Sequence, residues 1–162
     1  MKTAIYAGTF DPFTVGHLDV SIRAARIFDR LFIGIGVNSK KTPKYSLDMR
    51  SKMICSALSA SGVTNALVTD FEGLLVKEAE ARNIQFIVRG LRLFTDFENE
   101  FTMSLMNRRL SPDIESVYLM PKEELSYISS SAVREVLSNG GSVKGLVPES
   151  IEEMVVRNWR YH

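Results

Sequence analysis

One short stretch near the start of the chain, GTFDPFTVGHLD from Gly8 to Asp19, gathers several residue types that can handle a phosphate. Gly8 lets backbone amides approach a ligand closely. Thr9 adds a hydroxyl, Pro12 stiffens a turn, and Gly16 leaves space where a helix begins. The first turn of a helix has unpaired N–H groups and a partial positive charge, which suit an anion. His17 falls in that turn, with a ring able to donate to a phosphoryl oxygen. A plain strand–turn–helix link with a packed histidine would contain similar residues. Thr, Gly and His clustered at a strand exit favour the anion site.

Two further segments carry the same chemistry. In YISSSAVR, Tyr127 to Arg134, three serines stand at a helix start. One would suffice as a cap; three offer extra hydroxyls and amides, with Arg134 about one turn further in. In IVRGLRLFTDFENE, Arg89 and Arg92 flank Gly90 just after a strand. Guanidinium forks match phosphate oxygens. Asp96, Glu98 and Glu100 follow on the next helix, and Lys40, Lys41 and Lys44 lie in a polar loop. There is no GxxxxGK[ST] segment, so a P-loop is excluded. Gly34 and Gly36 form only an isolated GxG. No Cys/His set has zinc-ligand spacing, and the other histidine, His162, is the last residue.

These segments need a frame, and the apolar pattern supplies one. Short apolar runs at Thr3–Ala7, Leu31–Val37, Ala66–Thr69, Gln85–Val88 and Ser116–Met120 read as buried strands. Helices are expected from His17, from an N-cap at Ser46 to about Ala60, over Leu74–Arg82, from Thr95 or Asp96 to Leu110, over Ser129–Ser138, and from Pro148 to about Asn158. In the first of them Leu18, Ile22 and Ala25 are expected to share the buried face. The alternation predicts an α/β fold: a Rossmann-like, doubly wound sheet of five parallel strands with helices on both faces. It is expected to form a single domain over residues 1–162. Ligands of such sheets bind beyond the carboxyl ends of the strands, which is where the unusual segments emerge.

The totals are ordinary: 162 residues, 45% hydrophobic, 24% charged, net charge +1. No basic excess suggests a nucleic-acid partner. Cys55 is the only cysteine, so no internal disulfide can form; beside Met53, Ile54, Ala57 and Leu58 it is expected in or near the core. MKTAIYAGTF lacks a signal-peptide pattern, and Leu31–Val37 is far too short to span a membrane. A cytoplasmic protein is expected.

Thr14-Val15-Gly16-His17 resembles the (T/H)xGH signature of the nucleotidylyltransferase superfamily, and Ile128-Ser129-Ser130-Ser131 with Arg134 resembles its ISSS signature. GTFDPFTVGHLD, RGLR, DFENE, the MNRRL–ESVYLMP stretch and YISSSAVRE together resemble bacterial phosphopantetheine adenylyltransferase, from Ile5 to about Pro148. That resemblance implies transfer of AMP from ATP to 4′-phosphopantetheine, giving dephospho-coenzyme A and pyrophosphate, with Mg²⁺. It implies His17 as the catalytic residue. Nucleotide contacts would come from Thr9, Phe10, His17, Gly90, Leu91, Arg92, Glu100 and the run Leu125, Ser126, Tyr127, Ile128, Ser129, Ser130 and Ser131. Acceptor contacts would come from Thr9, Lys41, Leu75 and Arg89, although the loop spacing also admits Lys40. A homohexamer and feedback by coenzyme A are family expectations. The helix bearing Phe101, Met103, Leu105 and Met106 has more apolar surface than one face needs, which serves a core or a subunit interface equally well.

Overall fold

β1 (Thr3–Gly8) lies at the centre of the sheet, because its side chains are apolar on both faces. The computed structural model describes residues 1–38, 42–92 and 94–159, so Lys40, Lys41 and His162 lie outside the described residues. β2 (Arg30–Val37), β3 (Ala66–Glu72), β4 (Phe86–Gly90) and β5 (Glu115–Leu119) complete a five-stranded parallel sheet in the order β3-β2-β1-β4-β5. The chain runs outward from β1 through β2 to β3, then returns to pair β4 with the other side of β1. The strand order therefore reverses between β1 and β4, and a crevice opens at such a switch point.

Alternation along β1 divides the core. Ala4 and Tyr6 face the larger cluster, with Val20 and Ala24 of α1 (Val15–Ile27), Met53, Ile54, Ala57 and Leu58 of α2 (Leu47–Ala60), Val133 of α5 (Ser130–Ser138) and Val155 of α6 (Glu152–Arg157). Ile5 and Ala7 face a smaller cluster with Val76 and Ala79 of α3 (Leu75–Ala81). Both faces are covered, unequally. On α4 (Phe94–Leu110), Phe97, Phe101, Met103, Leu105, Met106 and Leu110 are all exposed.

Two expectations fail on helical phase. Cys55 is exposed. At about 100° per residue it points away from Met53, Ile54, Ala57 and Leu58, which are buried. In α1 the fully buried residues are Gly16, Val20, Ser21 and Ala24, while Leu18 and Ala25 pack partly buried on the flank. Strand ends shift by a few residues: β3 runs on to Glu72, and β5 starts and ends one residue earlier than expected.

One polar link joins the C-terminal helix to the loop after β2. Tyr45 is buried, and its hydroxyl donates to the Val155 carbonyl at 2.9 Å. That carbonyl lies in the last turn of α6, where helix carbonyls lack intrahelical partners. Tyr45→Phe should cost about 1 kcal/mol and lower the melting temperature by roughly 2–4 °C. Calorimetry on the two proteins checks this, and an unchanged melt would mean water takes the hydroxyl's place.

Candidate active site

Five segments meet at the β1/β4 switch point around a cavity of about 620 Å³. It is lined by Thr9, Phe10 and His17 from the β1–α1 connection, Thr42 to Lys44 from the loop after β2, Arg89, Gly90 and Arg92 after β4, Pro121, and Ile128 to Ser131 with Arg134. The expected contacts Thr9, Phe10, His17, Arg89, Gly90, Arg92, Ile128, Ser129, Ser130 and Ser131 are thus brought together. Leu91 is buried behind the wall, and its N–H donates to the Leu119 carbonyl at 3.1 Å. Leu125, Ser126 and Tyr127 are not among the lining residues, and Tyr127 is 72% exposed.

Phe10 turns the chain sharply out of β1 with φ 50, a conformation bulky residues avoid. Its buried ring meets Tyr6 and Phe13 edge-on, both at 5.5 Å, which offsets that strain. A Cβ on Gly8 would lie 3.0 Å from this ring, so the fold-back needs glycine there. Being buried, the Phe10 ring shapes the pocket, and its backbone is the part that can meet a ligand.

His17 sits at the third position of α1, in a reciprocal cap with Thr14. The Thr14 hydroxyl accepts from the His17 N–H at 3.3 Å, and the Thr14 N–H donates to His17 Nδ1 at 3.0 Å. A backbone amide can only donate, so Nδ1 must be the unprotonated nitrogen. The ring proton is therefore on Nε2. Phe10 stands edge-on to the imidazole at 5.1 Å and Phe13 stacks on it at 5.5 Å. Burial first, then the Arg92 cation, pushes its pKa down to about 4. The result is a neutral N–H donor of fixed orientation.

The helix amides are fewer than the sequence suggested. The Val15 N–H bonds the Leu146 carbonyl and the His17 N–H bonds Thr14, which leaves the Gly16 N–H without a protein partner among the described residues. The three serines are similarly engaged. Ser129 caps α5 by accepting from the Ala132 N–H, the Ser130 hydroxyl donates to the Pro12 carbonyl at 2.8 Å, and Ser131 accepts from Arg134 at 3.1 Å. The Ser130 hydroxyl, with Arg134, holds α5 against the β1–α1 connection, so its N-terminal turn faces the same cavity as that of α1.

Asp11 organises the opposite wall, a role its sequence context did not reveal. Only 5% exposed, it accepts from the Lys44 and Tyr45 N–H groups, each at 2.9 Å, and faces Arg134 at 3.8 Å. Arg134 also donates to the Asp11 carbonyl at 2.6 Å. Arg50, equally hidden, donates to the Thr9 and Tyr45 carbonyls at 2.8 and 3.1 Å. The signal available in sequence was an Asp inside the glycine-rich turn; its partners were not readable.

A second cavity of about 460 Å³ shares Ala7, Thr9 and Arg89 with the first. Val37, Phe71, Leu74, Leu75 and Met103 give it apolar walls. Glu100 lies here and not in the first cavity, where it accepts from both Arg89 Nε at 2.7 Å and Arg89 Nη2. Burial opposes the Arg89 charge, but the Glu100 bond and attraction outweigh it, and the pKa is raised. Arg92 is held less tightly, by Asp96 at 3.5 Å. An anion handled by neutral and cationic donors fits the first cavity; a long, partly apolar chain fits the second.

Residues 5–136 match the family model described as cytidylyltransferase-like. Over 94% of its length the chain is 49% identical to a phosphopantetheine adenylyltransferase from Carboxydothermus hydrogenoformans, covering 93% of that protein. The chain belongs to the phosphopantetheine adenylyltransferase family. A second family member, from Natranaerobius thermophilus, is 42% identical over 96% of this chain and 95% of its own length. The fold is that of a solved nicotinate-nucleotide adenylyltransferase candidate from Vibrio parahaemolyticus (TM-score 0.74, 18% identity, 100% of this chain and 98% of the other). It is also that of a bifunctional NMN adenylyltransferase/ADP ribose pyrophosphatase from Francisella tularensis (TM-score 0.75, 16% identity, 96% of this chain and 49% of the other).

The depressed His17 pKa has a stability consequence. The unfolded chain protonates this group near 6.5 and the folded chain near 4, so the folded state binds fewer protons between those values. Stability contributed by the neutral ring is intact above pH 6.5 and is lost as pH falls toward 4. The loss should be about 2 kcal/mol at pH 5. His17→Gln, which keeps a capping-box residue at this position, should lose that much less between pH 7 and pH 5 in chemical denaturation. Nitrogen-15 NMR should show a neutral ring protonated on Nε2 at pH 6. An imidazolium there would contradict the cap geometry.

Proposed function

We propose that the protein transfers the adenylyl group of ATP to 4′-phosphopantetheine, giving dephospho-coenzyme A and pyrophosphate, the penultimate step of coenzyme A synthesis. The observation that carries this reading is the pair of cavities joined at Thr9 and Arg89. One is lined by phosphate donors and the other has the apolar walls a pantetheine arm would use, with Leu75 among them. ATP would occupy the first, held by the backbone at Thr9 and Phe10, His17, Gly90 to Arg92 and the Leu125 to Ser131 run, with Glu100 reached from the second cavity. The acceptor phosphate would rest near Thr9 and Arg89, with Lys41 or Lys40 closing over it. Residues 1–162 would act as one catalytic unit.

An acceptor phosphate oxygen is already a nucleophile at neutral pH, so no side chain need remove a proton. It forms a bond to the α-phosphorus as the bond to the bridging oxygen breaks and pyrophosphate departs in line. Positioning and charge stabilisation then account for the acceleration. His17 donates through Nε2–H, and Arg92 and the Gly16 amide neutralise the crowded phosphoryl oxygens. Neutral His17 neither takes a proton from the acceptor nor needs to.

Mg²⁺ belongs to this reading as an ion brought on the triphosphate, where it would offset phosphate charge. No three His, Cys, Asp or Glu side chains gather to hold a metal among the described residues. The exposed apolar side chains of α4 support a homo-oligomer, a hexamer by family expectation. Coenzyme A, which shares the product's groups, would compete for the same two cavities. No helix among the described residues is long and apolar enough to cross a membrane, and a cytoplasmic site of action is part of the proposal.

Incubation with Mg²⁺, ATP and 4′-phosphopantetheine should release pyrophosphate and form dephospho-coenzyme A, whereas nicotinamide mononucleotide in place of pantetheine should give none. His17→Ala should lower kcat by about two orders of magnitude while leaving the KM for ATP within a few-fold. Near-normal turnover in that variant would remove His17 from the mechanism.

A further inference from the structure

Tyr6 takes no part in the chemistry described so far. It lies on β1 two residues before Gly8 and pairs in register with Val88 of β4, so it sits at the point where the strand order reverses. It is only 6% exposed, yet it lines the first cavity. Its ring is fixed edge-on by Phe10 at 5.5 Å and tilted against His17 at 6.4 Å. The aromatic body is core, and the hydroxyl is the polar end left over. That hydroxyl makes no hydrogen bond to the described residues and is not sealed from solvent, so it opens on the cavity.

The space beside the hydroxyl is kept open by Gly90. A Cβ built there would lie 3.6 Å from the Tyr6 oxygen and 3.4 Å from Val20 Cγ2, so any side chain at 90 would fill the gap. Arg89 and Arg92 are both near enough to act electrostatically on the phenol, while burial, the dominant effect, keeps it protonated. An O–H donor that opens on the cavity beside two cations offers a hydrogen bond to an anionic acceptor. A ligand oxygen that replaced solvent there would meet a donor already fixed in place.

We propose that the Tyr6 hydroxyl is a further nucleotide-binding group, donating to a phosphate oxygen of ATP lodged between His17 and Arg92. The assignment rests on the reading of the first cavity as the ATP site. It gives the site two neutral donors, an imidazole and a phenol, fixed by the same aromatic packing. Both are oriented before the nucleotide arrives, so binding need not order them.

Tyr6→Phe removes the oxygen and little else. Titration calorimetry with Mg²⁺–ATP and no acceptor should show binding weakened about tenfold. The ligand-free melting temperature should stay the same or rise slightly, because the hydroxyl has no protein partner to lose. Equal ATP affinity in both proteins would overturn the proposal and leave the ATP site standing. A ligand-free melt that falls together with affinity would make the hydroxyl structural and also overturn it. A loss confined to 4′-phosphopantetheine binding would place the oxygen on the wrong substrate. If the unaltered protein fails to bind ATP, the site reading itself is wrong, and this assignment falls with it.

Discussion

The hydrogen bond from the Thr14 amide to His17 Nδ1 is the constraint on which the chemistry depends. A side-chain donor could rotate away or change protonation; a backbone amide can do neither. Because the cap occupies one ring nitrogen as an acceptor, the other must carry the proton and face the cavity. The same bond starts α1 and orients the His17 ring, so folding the helix and fixing the imidazole are one event. The aromatic walls and the Arg92 charge reinforce it by making the imidazolium unfavourable. An electrically neutral donor suits a reaction whose nucleophile arrives charged and whose other donors are cations.

Around that bond the site is built from groups that hold each other and leave a few donors free. The serine hydroxyls of the α5 start are engaged with Ala132, Pro12 and Arg134, and Asp11 receives two loop amides and a guanidinium. Apart from the exposed Arg134–Ser131 bond, these are buried or half-buried contacts, where an unmatched partner is costly. Their effect is geometric. They bring two helix starts and the loop after β2 to one cavity and keep its mouth shaped without a ligand. Preorganisation of this kind lowers the cost of ordering the site on binding.

Much of this was readable in the sequence, for reasons that can be named. Five short apolar runs separated by helical periods could only be a covered parallel sheet, and the glycine-, serine- and arginine-bearing segments fell at its strand exits. What escaped were features that depend on helical phase or on pairing across distance. Cys55 and the α1 stripe were misjudged because neighbouring apolar residues do not fix the rotation of a helix against the sheet. Glu100 meeting Arg89 across the second cavity, and Asp11 receiving Lys44 and Tyr45, join residues whose approach is set by strand order. The serine segment suggested free hydroxyls, but their engagement with Pro12 and Arg134 required the packed α5.

Tyr45 ties the loop bordering the first cavity to a carbonyl of the last helix. During synthesis, β1 and the turn after it leave the ribosome early, whereas the Val155 anchor follows Tyr45 by 110 residues. A nascent polypeptide therefore exposes the turn after β1 well before the loop that borders its cavity is tied down.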